Sequence, residues 1–458
     1  MINLVRSEIT ILDSIGYLPL ALLFFFMIVD AIAQMDDFGP SPYAYKEGNI
    51  ESISDPNKLY DAYKLSKKNV SWKPSVQRYG LNLLSNIVSA HDQLESGNYK
   101  MTDPYEFTIN ERGHTRYVKA IYIFDRVIQR SFNDNVLNPI INKVAIYDNS
   151  ASQIGKGVSF ARERFKVHLR NAYNKWGKNA YVLFIDFSKF FDNILHSEAL
   201  AQFKPYMTEE EYKFLEITFH TFDIDVSYMS DEEFLRYRDE LFNMLEYSAN
   251  IPKEILTGEK MMPKSVGIGN QTSQGTGVMY PHEIDNYVTC VRGYGEYGRY
   301  MDDIHIFAQT KEELIELLRC IAEICDRLGI HINAKKTRIQ PIYTVMTYLK
   351  INYKITDTGR ILEIVPGKIF KRERDRITKF HEMVLKGKMP LEDVVLCYLS
   401  WYGTYIQFDS KRKMMIIDHY FKDLFCLGIY DTDLNAWIKM MFKSKKRDRV
   451  QLVRYNYI

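Results

Sequence analysis

A chain of 458 residues, 46 % hydrophobic and 26 % charged, has the balance of a globular protein of several domains, which excludes a disordered or fibrous one. Its formal net charge of +2 excludes reading nucleic-acid binding from the total, so such contacts must come from local patches. Five cysteines with no CxxC pair and no Cys/His zinc spacing exclude a disulfide framework and read as reduced, mostly buried thiols of a cytoplasmic protein.

The first element is an apolar run, Gly16 to Val29, reaching Ala33 if Asp30 is admitted. At about 1.5 Å per residue it falls short of a ~30 Å hydrocarbon core. No convincing small-residue cleavage site follows it, as a signal peptide would need. Burial of residues 14–33 against the body or a sister subunit is the favoured reading, and implies a homo-oligomer, because such a patch left exposed invites aggregation. Membrane attachment, or a non-essential extension ahead of Met35, are the alternatives. From Asp37 to Ser54 the composition is that of a linker, so 1–54 reads as an apolar segment plus linker.

Residues 55–110 read as a helical extension, in which Tyr60, Tyr63 and Leu65, then Leu81, Leu83, Leu84 and Ile87, recur at helical spacing. The basic and aromatic stretch Ser71 to Tyr79 interrupts it. Phe107 to Phe124 alternates like a hairpin turning at Arg112-Gly113, with Arg116 and Lys119 after the turn. Asp148 to Gly157 is polar and glycine-rich but lacks the GxxxxGK[ST] spacing of a nucleotide P-loop. The basic helix that follows, with Arg162 and Arg164, suits contact with a template backbone or is a solvated face.

Tyr181 to Ile185 is an apolar strand, buried on both faces by its pattern, with Asp186 where it emerges. Thr208 to Met261 is mostly helical and suggests no chemistry. Gly298 to Ala308 alternates as a half-buried strand behind the pair Asp302-Asp303, a hairpin with two acids at its tip. If this hairpin pairs beside the Asp186 strand, three carboxylates converge. Like charges buried together without a cation are costly, so convergence implies a metal. After Pro366 the chain is helical and basic, with Lys371 and Arg374 as candidate backbone contacts, and ends near a further basic cluster, Lys443 to Arg447.

Four stretches, in order, carry a family resemblance: Phe184 to Asp192, Gly267 to Gly275, Tyr300-Met301-Asp302-Asp303, and Leu328 to Thr337. They resemble the palm motifs of reverse transcriptases, and the likeness runs from about Glu111 to Tyr353. It implies an α+β right-hand polymerase with fingers over 111–262 (including the first palm strand), an antiparallel-sheet palm over 263–360 and a helical thumb over 361–458. It further implies an RNA-directed DNA polymerase that takes deoxynucleoside triphosphates and an RNA template to a DNA product. Two Mg²⁺ ions, with Mn²⁺ as substitute, would sit on Asp186, Asp302 and Asp303, with Lys336 (or its neighbour Lys335) as proton donor to pyrophosphate. Arg116 and Lys119 would hold the triphosphate, Gln274 and Gly275 would flank the nascent base pair, and Phe191 (or Phe190) would block a 2′-hydroxyl.

No segment after the thumb has the length of an RNase H domain, and the Gly267 to Gln274 box looks like that of bacterial enzymes of the diversity-generating and unknown-group kinds. A defence-associated (antiphage) enzyme working with a non-coding RNA is therefore expected. A diversity-generating or intron-type enzyme, an inactive RNA-binding scaffold and a membrane-tethered one are the alternatives. Met301 stands where bacterial enzymes commonly have Ala, and Ser273 where Pro is usual.

Overall fold

The computed structural model describes residues 50–111 and 114–425. The apolar run at 14–33, the Arg112-Gly113 turn, Cys426 and the cluster at 443–447 lie outside the described residues. Among those described, no helix is long and apolar enough to cross a membrane.

Helices Glu51–Ser54, Pro56–Ser66, Pro74–Leu81 and Leu83–Glu95 come first. Pro56 and Pro74 each open a helix, where a missing N–H is harmless. The linker expected to run to Ser54 stops earlier, because Ile53 is fully buried and its carbonyl accepts the Ser131 hydroxyl at 2.8 Å. Strands β1 (Tyr105–Glu111) and β2 (His114–Ala120) form the expected antiparallel hairpin, in register from Tyr105↔Ala120 to Glu111↔His114.

The helix Val158–Trp176 leads into β3 (Tyr181–Ile185). A mostly helical stretch follows, clipped by a two-residue ladder between β4 (Ile224–Asp225) and β5 (Met261–Met262). Then come β6 (Tyr297–Tyr300), β7 (Asp303–Ala308) and β8 (Arg338–Pro341), which build with β3 one antiparallel sheet in the order β6-β7-β3-β8. Val182 and Phe184 of β3 point to Ala161, Phe165 and Leu169 of the helix Val158–Trp176. Leu183 and Ile185 point the other way, to Leu314, Leu317 and Ile321 of the helix Lys311–Arg327. Helices thus cover both faces, which is why β3 reads as an unbroken apolar run.

The same layering corrects the expectation for β7. Its alternation suggests one wet face, yet 304–308 are all buried. His305 lies edge-on to Phe165 at 5.0 Å, and its Nε2 meets His168 Nδ1 at 3.0 Å, so the ring is held by packing and one bond inside the protein rather than facing water. The thiols correct another expectation: of the described cysteines only Cys325 is buried, and Cys290 is exposed.

Strands β9 (Met346–Tyr348), β10 (Ile351–Ile355) and β11 (Ile361–Ile364) make a second antiparallel sheet. It leads to three helices, Gly367–Leu385, Leu391–Tyr405 and Lys411–Leu424, joined by a core in which Tyr398 stacks on Phe421 at 3.9 Å. The whole is the α+β right-hand arrangement of a polymerase: hairpin and helices as fingers, antiparallel sheet as palm, helices as thumb.

Candidate active site

The register of the palm sheet brings the acids together. Ile185 of β3 faces Ile304 of β7, so Asp186 and Asp303 leave the ladder at the same end. Tyr300 pairs with Asp303, leaving Met301-Asp302 as a two-residue turn. Met301 takes φ 55°, the positive value that such hairpin turns require of their first central residue and that a side chain resists. The strained residue therefore sits beside the acids it presents.

Asp186 is almost buried, 9 % exposed. Both its oxygens accept from the Lys336 ammonium, at 2.8 and 3.0 Å, and Asn333 adds an amide bond at 3.0 Å. Asp302 is pushed above the ordinary carboxylate range, chiefly by burial and then by Asp186. Asp303 rises to about 7 through burial and the charges of Asp302 and Asp186. Lys336 is held above the usual lysine range: burial pulls it down, but the bond to Asp186 and the charges of Asp302 and Asp303 outweigh that. An all-oxygen donor set carrying this repulsion fits a hard divalent cation.

A pH dependence follows. The raised carboxyls of Asp302 and Asp303 make the metal-free protein lose stability as pH climbs from about 4 through about 7, where the fold must accept charges it binds poorly. A divalent cation relieves that repulsion, so the rise in Tm on adding Mg²⁺ is expected to be larger at pH 8 than at pH 5. Melting curves at the two pH values, with and without Mg²⁺, measure this directly; an equal rise at both would contradict it.

What aims the hairpin is a buried network absent from the sequence reading. Arg299 is fully buried and grips Asp285 through Nε at 2.7 Å and a terminal nitrogen at 2.6 Å. The same guanidinium donates to the carbonyls of Val278 at 2.7 Å and Met301 at 3.2 Å. Tyr297 and Asn149 complete the shell of Asp285. One side chain thus ties the turn to the helices Gln271–Met279 and His282–Asn286. A charged residue inside an alternating strand was the only available signal, and it reads equally as an exposed position.

The remaining candidates divide. Phe191 comes to the site: a Cβ on Gly277 would lie 3.0 Å from its ring and 3.3 Å from the Met301 sulfur, so Gly277 makes room for both. Phe190 is 5 % exposed and packs in the core against Phe187 and Tyr280. Arg116 is exposed on β2 and its charge is felt by Asp302, and it also lines a cleft of about 440 Å³ with the helices after Pro366. Lys119, an odd number of residues along the strand, faces the other way: it is 7 % exposed, 3.9 Å from Glu106 and 3.4 Å from the Asp223 carbonyl. Gln274 is exposed and accepts from the Ser152 hydroxyl at 3.4 Å. Gly275 is buried, and a Cβ there would lie 3.3 Å from Ile141, so what approaches it closely is a neighbouring helix.

The basic candidates also separate. Arg162 donates to the Leu349 carbonyl at 2.6 Å, and Arg164 is bonded to Asp148, so both are engaged within the protein. Lys371 and Arg374 are exposed, with Arg374 over the Tyr420 ring at 4.7 Å. The cleft shared with Arg116 is lined by Lys368, Arg372 and Arg376 of the same helix, a stripe at four-residue spacing that the sequence displayed.

Residues 283–353 match the family model described as reverse transcriptase (RNA-dependent DNA polymerase), a span that contains Asp302, Asp303, Asn333 and Lys336. No curated protein matches the chain. Among solved structures, apo telomerase from Candida tropicalis truncated from its C-terminal domain is similar at 13 % identity and TM-score 0.36, over 57 % of this chain and 55 % of that one. The untruncated apo telomerase from Candida tropicalis gives 15 % identity and TM-score 0.35, over 58 % and 49 %. Telomerase from Candida albicans in complex with a TWJ fragment of telomeric RNA gives 11 % and 0.39, over 76 % and 58 %. The chain spans about half the length of these relatives, and likeness at this level says nothing of substrate or partner.

Proposed function

We propose, from the reverse transcriptase segment this chain contains, that it copies an RNA template into DNA by adding deoxynucleotides to a primer 3′-hydroxyl. The observation that carries this is the meeting of Asp186 with Asp302 and Asp303 at one end of the palm sheet, with Lys336 on Asp186. Asp186, Asp302 and Asp303 would hold two divalent cations, Mg²⁺ by the hardness of their oxygens, which when bound polarise the attacking hydroxyl and the phosphate. Arg116 and the stripe Lys368, Arg372 and Arg376 present positive charge to triphosphate and nucleic-acid backbone across the cleft. Lys336, kept charged by three carboxylates, stands where it can give a proton to departing pyrophosphate.

Phe191 closes the floor of the site beside Met301 and selects against a 2′-hydroxyl. Phe191→Ala is expected to narrow the preference for deoxynucleotides over ribonucleotides by roughly 10–200-fold, as for other shape-based pockets. Single-nucleotide incorporation with both substrates reads that ratio; an unchanged ratio would remove Phe191 from the role. The narrower reading, a bacterial defence enzyme that uses a non-coding RNA and assembles through residues 14–33, is supported by the Gly267 to Gln274 box and the apolar run alone. Extension of a DNA primer annealed to RNA, with Mg²⁺ and four deoxynucleoside triphosphates, tests the activity. Sequencing the RNA that co-purifies tests the template. Failure to extend under any divalent cation would overturn the proposal.

A further inference from the structure

Away from the polymerase acids, His196, His220 and Asp223 form a second cluster with ligand atoms all within 4.8 Å of one another, alone in this among the described residues. His196 begins the helix His196–Phe203 and is 1 % exposed. His220 closes the helix Glu209–His220, and Asp223 immediately precedes β4. We propose that these three side chains bind a divalent transition-metal ion, zinc by the chemistry of the donors, which staples the two helices to the segment leading into the Gly267 to Gly275 box.

Three observations carry this. First, Nε2 of His196 is bonded to the Ser265 carbonyl, and its backbone N–H donates to Pro263 at 3.1 Å. That fixes the ring and leaves Nδ1 to face the cluster, the arrangement by which metal-ligating histidines are oriented. Second, His196 Nδ1 and Asp223 Oδ1 stand 2.9 Å apart but are not aligned as donor and acceptor, so both are buried atoms without a hydrogen-bond partner. A cation does not need that alignment, since it sits off the line between its ligands, where both lone pairs can reach it. Third, His220 Nδ1 is hydrogen-bonded at 3.0 Å to the other oxygen of Asp223, a bond the metal would replace, and His220 is exposed, so the site has an entry path. Two imidazoles and one carboxylate suit zinc, and three protein ligands leave a fourth position for water. The opposing charge is Lys119, whose ammonium contacts the Asp223 carbonyl at 3.4 Å rather than its carboxylate.

The test uses the full chain carrying Asp302→Asn and Asp303→Asn, so that metal at the polymerase acids does not count. After dialysis against a chelator, one equivalent of Zn²⁺ is expected to bind and raise Tm. One equivalent of Co²⁺ is expected to give visible bands of a four-coordinate nitrogen and oxygen site. Because His196→Ala removes a buried bond and threatens folding, the deciding variant is His220→Ala at an exposed helix end, which should fold normally and lose the Co²⁺ bands. Bands that survive His220→Ala, a thiolate charge-transfer band pointing to cysteine, or no uptake at all would each overturn the proposal.

Discussion

Replacing Asp302 and Asp303 together by alanine is expected to abolish nucleotide incorporation while leaving the protein folded. Metal-based charge stabilisation supplies several kcal/mol to phosphoryl transfer, and each 1.36 kcal/mol is tenfold in rate. A fall of on the order of 10³-fold or more follows. The fold should survive, because both carboxyls are held above their ordinary range by burial and by other carboxylates. They burden the native state when metal is absent, so removing them relieves repulsion rather than breaking a bond. A Tm equal to or above that of the unaltered protein, measured without divalent cations, separates this from simple unfolding. Activity within tenfold of normal would sink the assignment.

The second large effect is structural. Asp285→Ala leaves the Arg299 guanidinium buried without its carboxylate, and stranding one partner of a buried ion pair costs about 3–5 kcal/mol. That is a large share of the ~5–15 kcal/mol that holds a domain folded. Replacing both members with leucine should restore only part of it, since Arg299 also serves the Val278 and Met301 carbonyls, and Tyr297 and Asn149 also lean on Asp285. Chemical denaturation of the single and double variants checks both statements. Loss of under about 1 kcal/mol in Asp285→Ala would show that the network does not hold the hairpin.

Much of this was legible in the sequence, for identifiable reasons. The apolar run of β3 and the alternation of residue types in β1, β2 and β7 are strand signals, although burial itself does not alternate in β7. Asp186 and the Asp302-Asp303 tip were findable because acids at strand ends stand out against apolar flanks. The direction of a basic side chain was not. Arg162 and Arg164 read as template contacts, and the partners the fold gives them, the Leu349 carbonyl and Asp148, are not visible in the sequence. Lys119 differs from Arg116 only in strand parity, and parity needs the register. Pairings such as Arg299 with Asp285, or His196 with Asp223, depend on tertiary packing that no local pattern encodes. The 368, 372, 376 spacing is written in the sequence, but so are the other basic residues of that helix, and only the fold shows which of them line the cleft with Arg116.

The most direct test is anomalous scattering from crystals of the full chain soaked with Mn²⁺ and a deoxynucleoside triphosphate. Two manganese peaks roughly 3.5–4 Å apart, bounded by Asp186 and the Asp302-Asp303 turn with Lys336 drawn off Asp186, are what the proposed chemistry predicts. Triphosphate density elsewhere, or no metal between β3 and the β6–β7 turn, would contradict it.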